Sequence, residues 1–234
     1  MNDERQTTNF AISLEVIFMK RKAVLGFILA ALLSLPPLAE ASVREKTASA
    51  INYKMCYPLV TVEKNAAAQA AINEDIQKYV DSFLNQYKAG KFYHGNFSYK
   101  VQYEDDQVIS LTVADYRYNQ GAAHGYTNTY GLNYSKVTGE KLPLSYFVKL
   151  RPEDKMTILR QPIIDSRGER VPLEKTFATG RYISTIKISS NYYMLGDGAL
   201  ALIYPPYSLA CYAMGTLHID LSPQIIDYFN RKNQ

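Results

Sequence analysis

The chain has 234 residues, with 26 basic against 22 acidic side chains, a formal net charge of +4, 20 tyrosines and no tryptophan. At 21% charged residues and with no block of like sign, this balance excludes a nucleic-acid tail and supports at most a cationic surface tolerant of anionic envelope polymers. After the leader described next, enough chain remains for one full domain or two small lobes sharing a core.

The first forty-odd residues read as targeting. Lys20-Arg21-Lys22 form a basic region, Ala23 to Leu35 an apolar one, and Ala39-Glu40-Ala41 a small-residue cleavage signal, so the mature chain is expected to start near Ser42. Export to the periplasm or the extracellular space follows from that reading. Eighteen residues precede Met19, which makes Met19 the simpler start and residues 1–18 an early start. The alternative is a short cytoplasmic tail before an uncleaved anchor, but Pro36-Pro37 interrupts an apolar run already short of the roughly 20 residues a span needs. No stable membrane span is expected after cleavage. The leader removes four basic and four acidic residues, so the mature charge stays at +4.

Ile51 to Val62 alternates as a strand bent at Pro58, and proline suggests an edge position. Asn65 caps a helix from Ala66 to about Ala89, because Ile72, Ile76, Tyr79, Val80, Phe83, Leu84 and Tyr87 step by threes and fours. Gly90 ends it. Phe97 to Tyr103 is a strand, residues 104–107 a turn, and Val108 to Tyr118 the return strand. A small-residue bend then leads to the tyrosine-rich strand from Tyr126 to Tyr134, and Lys136 to Glu140 makes a turn. Pro152-Glu153-Asp154-Lys155 opens a helix ending near Pro162. Asp165 to Arg181 is a weakly patterned polar loop. Tyr182 to Ile188 and Tyr192 to Leu195 read as strands, and Gly196-Asp197-Gly198 as a hairpin turn into Ala199 to Tyr204. Thr216 to Leu221 is a last strand, and Ser222-Pro223 caps a terminal helix. The expected class is α+β: antiparallel sheets packed on one long N-terminal helix and one or two C-terminal helices. The domains expected are a signal peptide over 1–41, an N-terminal lobe over 42–110 and a C-terminal domain over 111–234.

The bend, residues 119–125, is the candidate site. Gly121 and Gly125 can take positive φ, and Ala122-Ala123 leave room for a close approach to the backbone. The candidate binding residues are Tyr116, Tyr118, Gln120, Gly121, Ala122, Ala123, His124, Gly125 and Tyr126. Tyrosine at this density means aromatic cross-strand packing or a face that binds something. His124 could act as a general base with Asp115, but no nucleophile motif accompanies it, and a ring holding the bend through backbone bonds is the simpler role. Neither His94 nor His218 stands at metal-ligand spacing from it, so no metal or other cofactor is expected. Asp105-Asp106 and Glu153-Asp154 sit in a turn and a helix start, where acids serve local structure. Cys56 and Cys211 form a disulfide candidate in an oxidising compartment, one that would add on the order of 5 kcal/mol through its long loop. Two separately buried thiols are the other reading.

Tyr118-Asn119-Gln120-Gly121-Ala122-Ala123-His124-Gly125, Leu132-Asn133-Tyr134 and Thr138-Gly139-Glu140-Lys141-Leu142-Pro143-Leu144 together resemble the C-terminal domain of RsiV-like proteins. Tyr204-Pro205-Pro206-Tyr207, Tyr212-Ala213-x-Gly215 and His218-Ile219-Asp220-Leu221 resemble its closing stretch. The first lobe, with Tyr57-Pro58 and the helix to Ala89, is similar to the small lobe also found in PdaC-type peptidoglycan deacetylases. One departure is visible, the family's first loop glycine pair being shifted here to Gln120-Gly121-Ala122. The resemblance implies a secreted α+β binding module of a domain-of-unknown-function family, not a catalyst. Its best-understood relatives are ectodomains of anti-sigma factors that sense lysozyme. The resulting expectation is an exported, non-catalytic cell-envelope protein that binds a protein or glycan partner, with a lysozyme-type muramidase as one candidate. The alternatives are a peptidoglycan-binding module and an envelope hydrolase or deacetylase using His124.

Overall fold

The computed structural model describes residues 42–234. The expected leader, over residues 1–41, lies outside the described residues. The described chain is a mixed α/β protein of two sheets and three helices, with strands in the majority. Among the described residues no helix is long and apolar enough to cross a membrane.

The first sheet has the order β1-β2-β3-β4-β5, from Val43–Ala50, Tyr53–Val60, His94–Glu104, Val108–Tyr118 and Tyr126–Ser135. The expectation of a long helix at the N-terminus and of purely antiparallel sheets is corrected here. Two strands precede helix α1, Ala66–Lys88, and β2 pairs parallel with β3 through the crossover that α1 supplies. Asn65 caps α1 by accepting the backbone N–H of Ala68, and Gly90 takes φ +66 just past its end. Ile72, Ile76, Val80 and Phe83 are buried against Met55, Phe97, Leu111, Val113 and Leu132 of the sheet. Each such side chain contributes about 1.5–3 kcal/mol by leaving water.

Strand β1 was not legible in the sequence because it is an edge strand. Arg44, Glu45, Lys46 and Thr47 are all exposed, so there is no alternation to read. Strand β2 is accordingly not the edge that its proline suggested. Its pairing with β3 covers only Tyr53 to Met55, so Pro58, paired with Glu45 of β1, has no strand on its other side. The expected lobe boundary between Ser110 and Leu111 falls inside β4.

The second sheet has the order β6-β9-β8-β7, from Ile163–Ile164, Tyr192–Gly196, Ala199–Tyr204 and Leu217–Leu221. Met194, Leu200, Leu202, Ile219 and Leu221 pack with Ile158 and Leu159 of the one-turn helix α2, Lys155–Leu159, and with Ile226 and Phe229 of α3, Pro223–Lys232. Asp154, wholly buried, ties the two helices together by accepting from Lys232 Nζ, Asn233 Nδ2 and the backbone N–H of Arg151. The strand expected over Tyr182 to Ile188 is instead a 3-10 turn, Gly180–Thr185, followed by extended chain that joins neither sheet.

Strand β7 docks on the first sheet through polar side chains. Asn133 Nδ2 donates to Tyr192 O at 2.8 Å while its Oδ1 accepts from Ser110 Oγ at 2.6 Å, and Ser110 Oγ in turn accepts the Met194 N–H at 2.9 Å. Asn191 bonds the backbone of Gly131 and Thr129 at 2.7 and 2.6 Å. Gly131 is required by the same approach, since a Cβ there would stand 1.7 Å from Tyr192 O. Asn133 in the Leu132-Asn133-Tyr134 segment is therefore a joint between sheets.

Candidate functional site

The bend between β4 and β5 lies where the two sheets' loops meet. Pairing stops at Arg117 opposite Tyr126, and Gln120, Gly121, Ala122, Ala123 and His124 are exposed beyond it. Ala122 N–H bonds Asn119 O at 3.0 Å and Gly121 takes φ +84 with open space around it, closing the turn. Gly125 does not take positive φ as expected. It is small because Tyr116 lies over it: an added Cβ would stand 2.3 Å from that ring.

His124 is held from three sides. Its Nδ1 lies 2.8 Å from Gly125 O, and a carbonyl only accepts, so Nδ1 carries the proton. With Nδ1 as the donor, Nε2 is placed to accept from the Tyr207 hydroxyl at 3.1 Å. Tyr212 stacks on the imidazole with centroids 3.7 Å apart, and its own hydroxyl donates to Gly125 O at 2.8 Å. Tyr207 is 55% exposed and held at φ +68, a left-handed conformation costing a tyrosine roughly 1–2 kcal/mol. Tyr207 and Tyr212 come from the loop after β8, far along the chain. The sequence marked both only as parts of the closing resemblance, and no spacing rule ties them to His124.

The structure does not bring Asp115 to His124. Asp115 points to the helix side of β4, where Arg117 Nε and Nη2 donate to its two oxygens at 2.8 and 2.6 Å. Arg117 also donates to Gln86 of α1 and lies 5.1 Å from the centre of the Phe92 ring. Strand geometry explains the separation, because residues 115 and 117 share one face. Tyr116, Tyr118 and Tyr126 are half-buried, so the fully presented part of the bend is Asn119 to His124.

The other candidates sort into local roles. Asp105 accepts the N–H groups of Gln107 and Val108 and closes the β3–β4 turn. Cys56 and Cys211 are unbridged thiols, correcting the disulfide candidate: Cys56 sits opposite Thr47 within the first sheet and Cys211 is exposed in the loop before Gly215. Among the described residues no three His, Cys, Asp or Glu side chains are grouped to hold a metal ion.

Residues 44–127 match the family model described as Deacetylase PdaC. That span runs from β1 through the bend and is well under half of the chain. A crystal structure of a DUF3298 family member from Bacteroides fragilis is similar at a TM-score of 0.52 and 14% identity, covering 80% of this chain and 91% of that one. A DUF3298 family protein from Pseudomonas aeruginosa gives 0.47 and 14%, covering 79% and 90%. No curated protein matches the chain. At such identity the likeness to the first structure is one of fold, and it extends through both sheets.

Proposed function

We propose that this is an exported, non-catalytic protein of the cell envelope, of the RsiV-like kind, whose Gln120–His124 bend receives a protein or glycan partner. The observation that carries the reading is the clamp on His124. An exposed bend of small residues is fixed by two tyrosines from a distant loop, so it presents a rigid, preorganised surface whose docking costs little ordering entropy. The bidentate Asp115–Arg117 pair speaks against the hydrolase alternative, because the acid that would orient His124 is already bonded elsewhere. The matched deacetylase family and the tyrosine-rich bend favour the envelope as the location. The two arms of the reading are a lysozyme-type muramidase and peptidoglycan itself.

Calorimetric titration of the purified protein with a c-type lysozyme and, separately, with soluble muropeptides tests this. Saturable binding to one of them, lost in Ala123→Arg while the thermal unfolding curve is kept, is the expected result. Silence with both, or binding unchanged by Ala123→Arg, overturns it.

A further inference from the structure

A second surface, sharing no residue with the bend, carries its own chemistry. A cavity of about 630 Å³ opens between the chain after β5 and the extended segment that precedes β7. Its walls are apolar, with Leu144, Val148 and Leu150 on one side and Ile186 and Ile188 on the other. Arg151, Lys155 and Lys187 also line it, and among the described lining residues there is no carboxylate. Among the described residues none of these three cations is in an ion pair. Arg151 reaches Asn233 O at 3.4 Å and Lys155 reaches Ile183 O at 3.1 Å, both main-chain carbonyls.

The Ile186 to Ile188 wall is built like a strand without a neighbour. Ile186 is buried, Lys187 exposed and Ile188 half-buried, the alternation of a sheet strand. Ile186 has φ −69 and ψ 126, and the segment is pinned at either end, by Lys155 on Ile183 O and by the Tyr204 hydroxyl accepting from Ser189 N at 3.3 Å. Between those pins the main-chain N–H and C=O groups of residues 186–188 make no hydrogen bond among the described residues. As on the edge of a sheet, such groups stand open to pairing with another chain.

We propose that this cleft binds an extended, acidic peptide segment of a partner protein, which adds as a strand to Ile186–Ile188. Its main chain pairs with the free backbone groups, alternate apolar side chains enter the cavity beside Leu144 and Val148, and its carboxylates meet Arg151, Lys155 and Lys187. The backbone edge gives affinity, and the unpaired cations select against basic sequences. A free anionic amphiphile would satisfy the cations and the apolar walls, but it would leave the backbone edge open.

Fluorescence anisotropy with the labelled heptapeptide Val-Glu-Val-Asp-Val-Glu-Leu tests the proposal. Saturable binding is expected, weakened roughly tenfold or more by Lys187→Glu and by the same peptide with alternate amides N-methylated. Lys187 is exposed, so its variant should unfold at the wild-type temperature, which a melting curve checks. The same peptide with lysine for each acid should not bind. No saturable binding, equal binding of the N-methylated peptide, or binding of dodecanoate with the heptapeptide unable to compete each overturns it.

Discussion

The imidazole of His124 lies flat on the phenol of Tyr212, with centroids 3.7 Å apart and 22° between the planes. This contact joins the bend of the first sheet to the loop after β8. Tyr212→Phe keeps the stack and loses only the hydroxyl's bond to Gly125 O, so a loss of about 0.5–1.5 kcal/mol is expected. Tyr212→Ala removes the ring as well and should cost about 1 kcal/mol more. Urea unfolding of the three proteins measures both steps, and equal stability of the two variants would show that the stack contributes nothing.

Gly131 and Gly121 make a matched pair of tests. A Cβ at Gly131 would overlap the Tyr192 carbonyl, and both lie in backbone that cannot move without opening the joint between β5 and β7. Gly131→Ala is expected to cost about 3 kcal/mol or more, the upper end of overpacking. Gly121 has open space around it, and its only constraint is φ +84. Gly121→Ala should cost roughly 1–2 kcal/mol. Thermal melts that ranked the two in reverse order would contradict this account of the joint.

Periodicity was informative where one face of an element is wet and the other buried. The stepping of Ile72, Ile76, Val80 and Phe83 located the helix over 66–88, although the first of the two strands before it was not visible. Strand β1 escaped because all its residues but Val43 and Ala48 are exposed, and β6 because two residues carry no period. The extended chain at Ile186 to Ile188 read as a strand and has the alternation of one, yet has no partner strand among the described residues. The bend stood out by its glycines and alanines. Its clamp could not be read, since Tyr207 and Tyr212 reach His124 only through tertiary folding.

Asn133 and Ser110 act as one unit. Each satisfies the other and each holds a main-chain group of β7, so removing either side chain leaves buried partners unbonded. Asn133→Ala should cost about 2–4 kcal/mol and Ser110→Ala about 1–3 kcal/mol. Because they share the Oγ to Oδ1 bond, the double variant should lose less than the sum, with a coupling of about 0.5–3 kcal/mol. Strict additivity in a double-mutant cycle would mean the network is not shared.

Asp220 and His218 on β9 give the fold a measurable pH dependence. They stand 3.4 Å apart beneath Tyr193, and among the described residues the Asp220 Oδ1 has no hydrogen-bond partner. Burial pushes the Asp220 carboxyl up to about 6 from 3.8. It pushes the His218 imidazole below 6.5, with Asp165 opposing and Lys100 adding to that shift. Burial, with the Asp220 charge adding, likewise takes the Tyr193 hydroxyl up to about 12. A carboxyl whose folded value is raised favours the fold while it is protonated. Its contribution is full below pH 3.8 and is lost as pH rises through about 6. The neutral imidazole works in the other direction, its contribution present above 6.5 and lost on acidification. Asp220→Asn removes the first effect and leaves the second. The variant should match the wild type near pH 4 and exceed it at pH 8 by on the order of 1 kcal/mol, discounted for the solvent that still reaches this carboxylate. Urea midpoints at the two pH values read the difference, and a variant less stable than wild type at pH 8 would show that Asp220 is held charged by a partner in the folded protein.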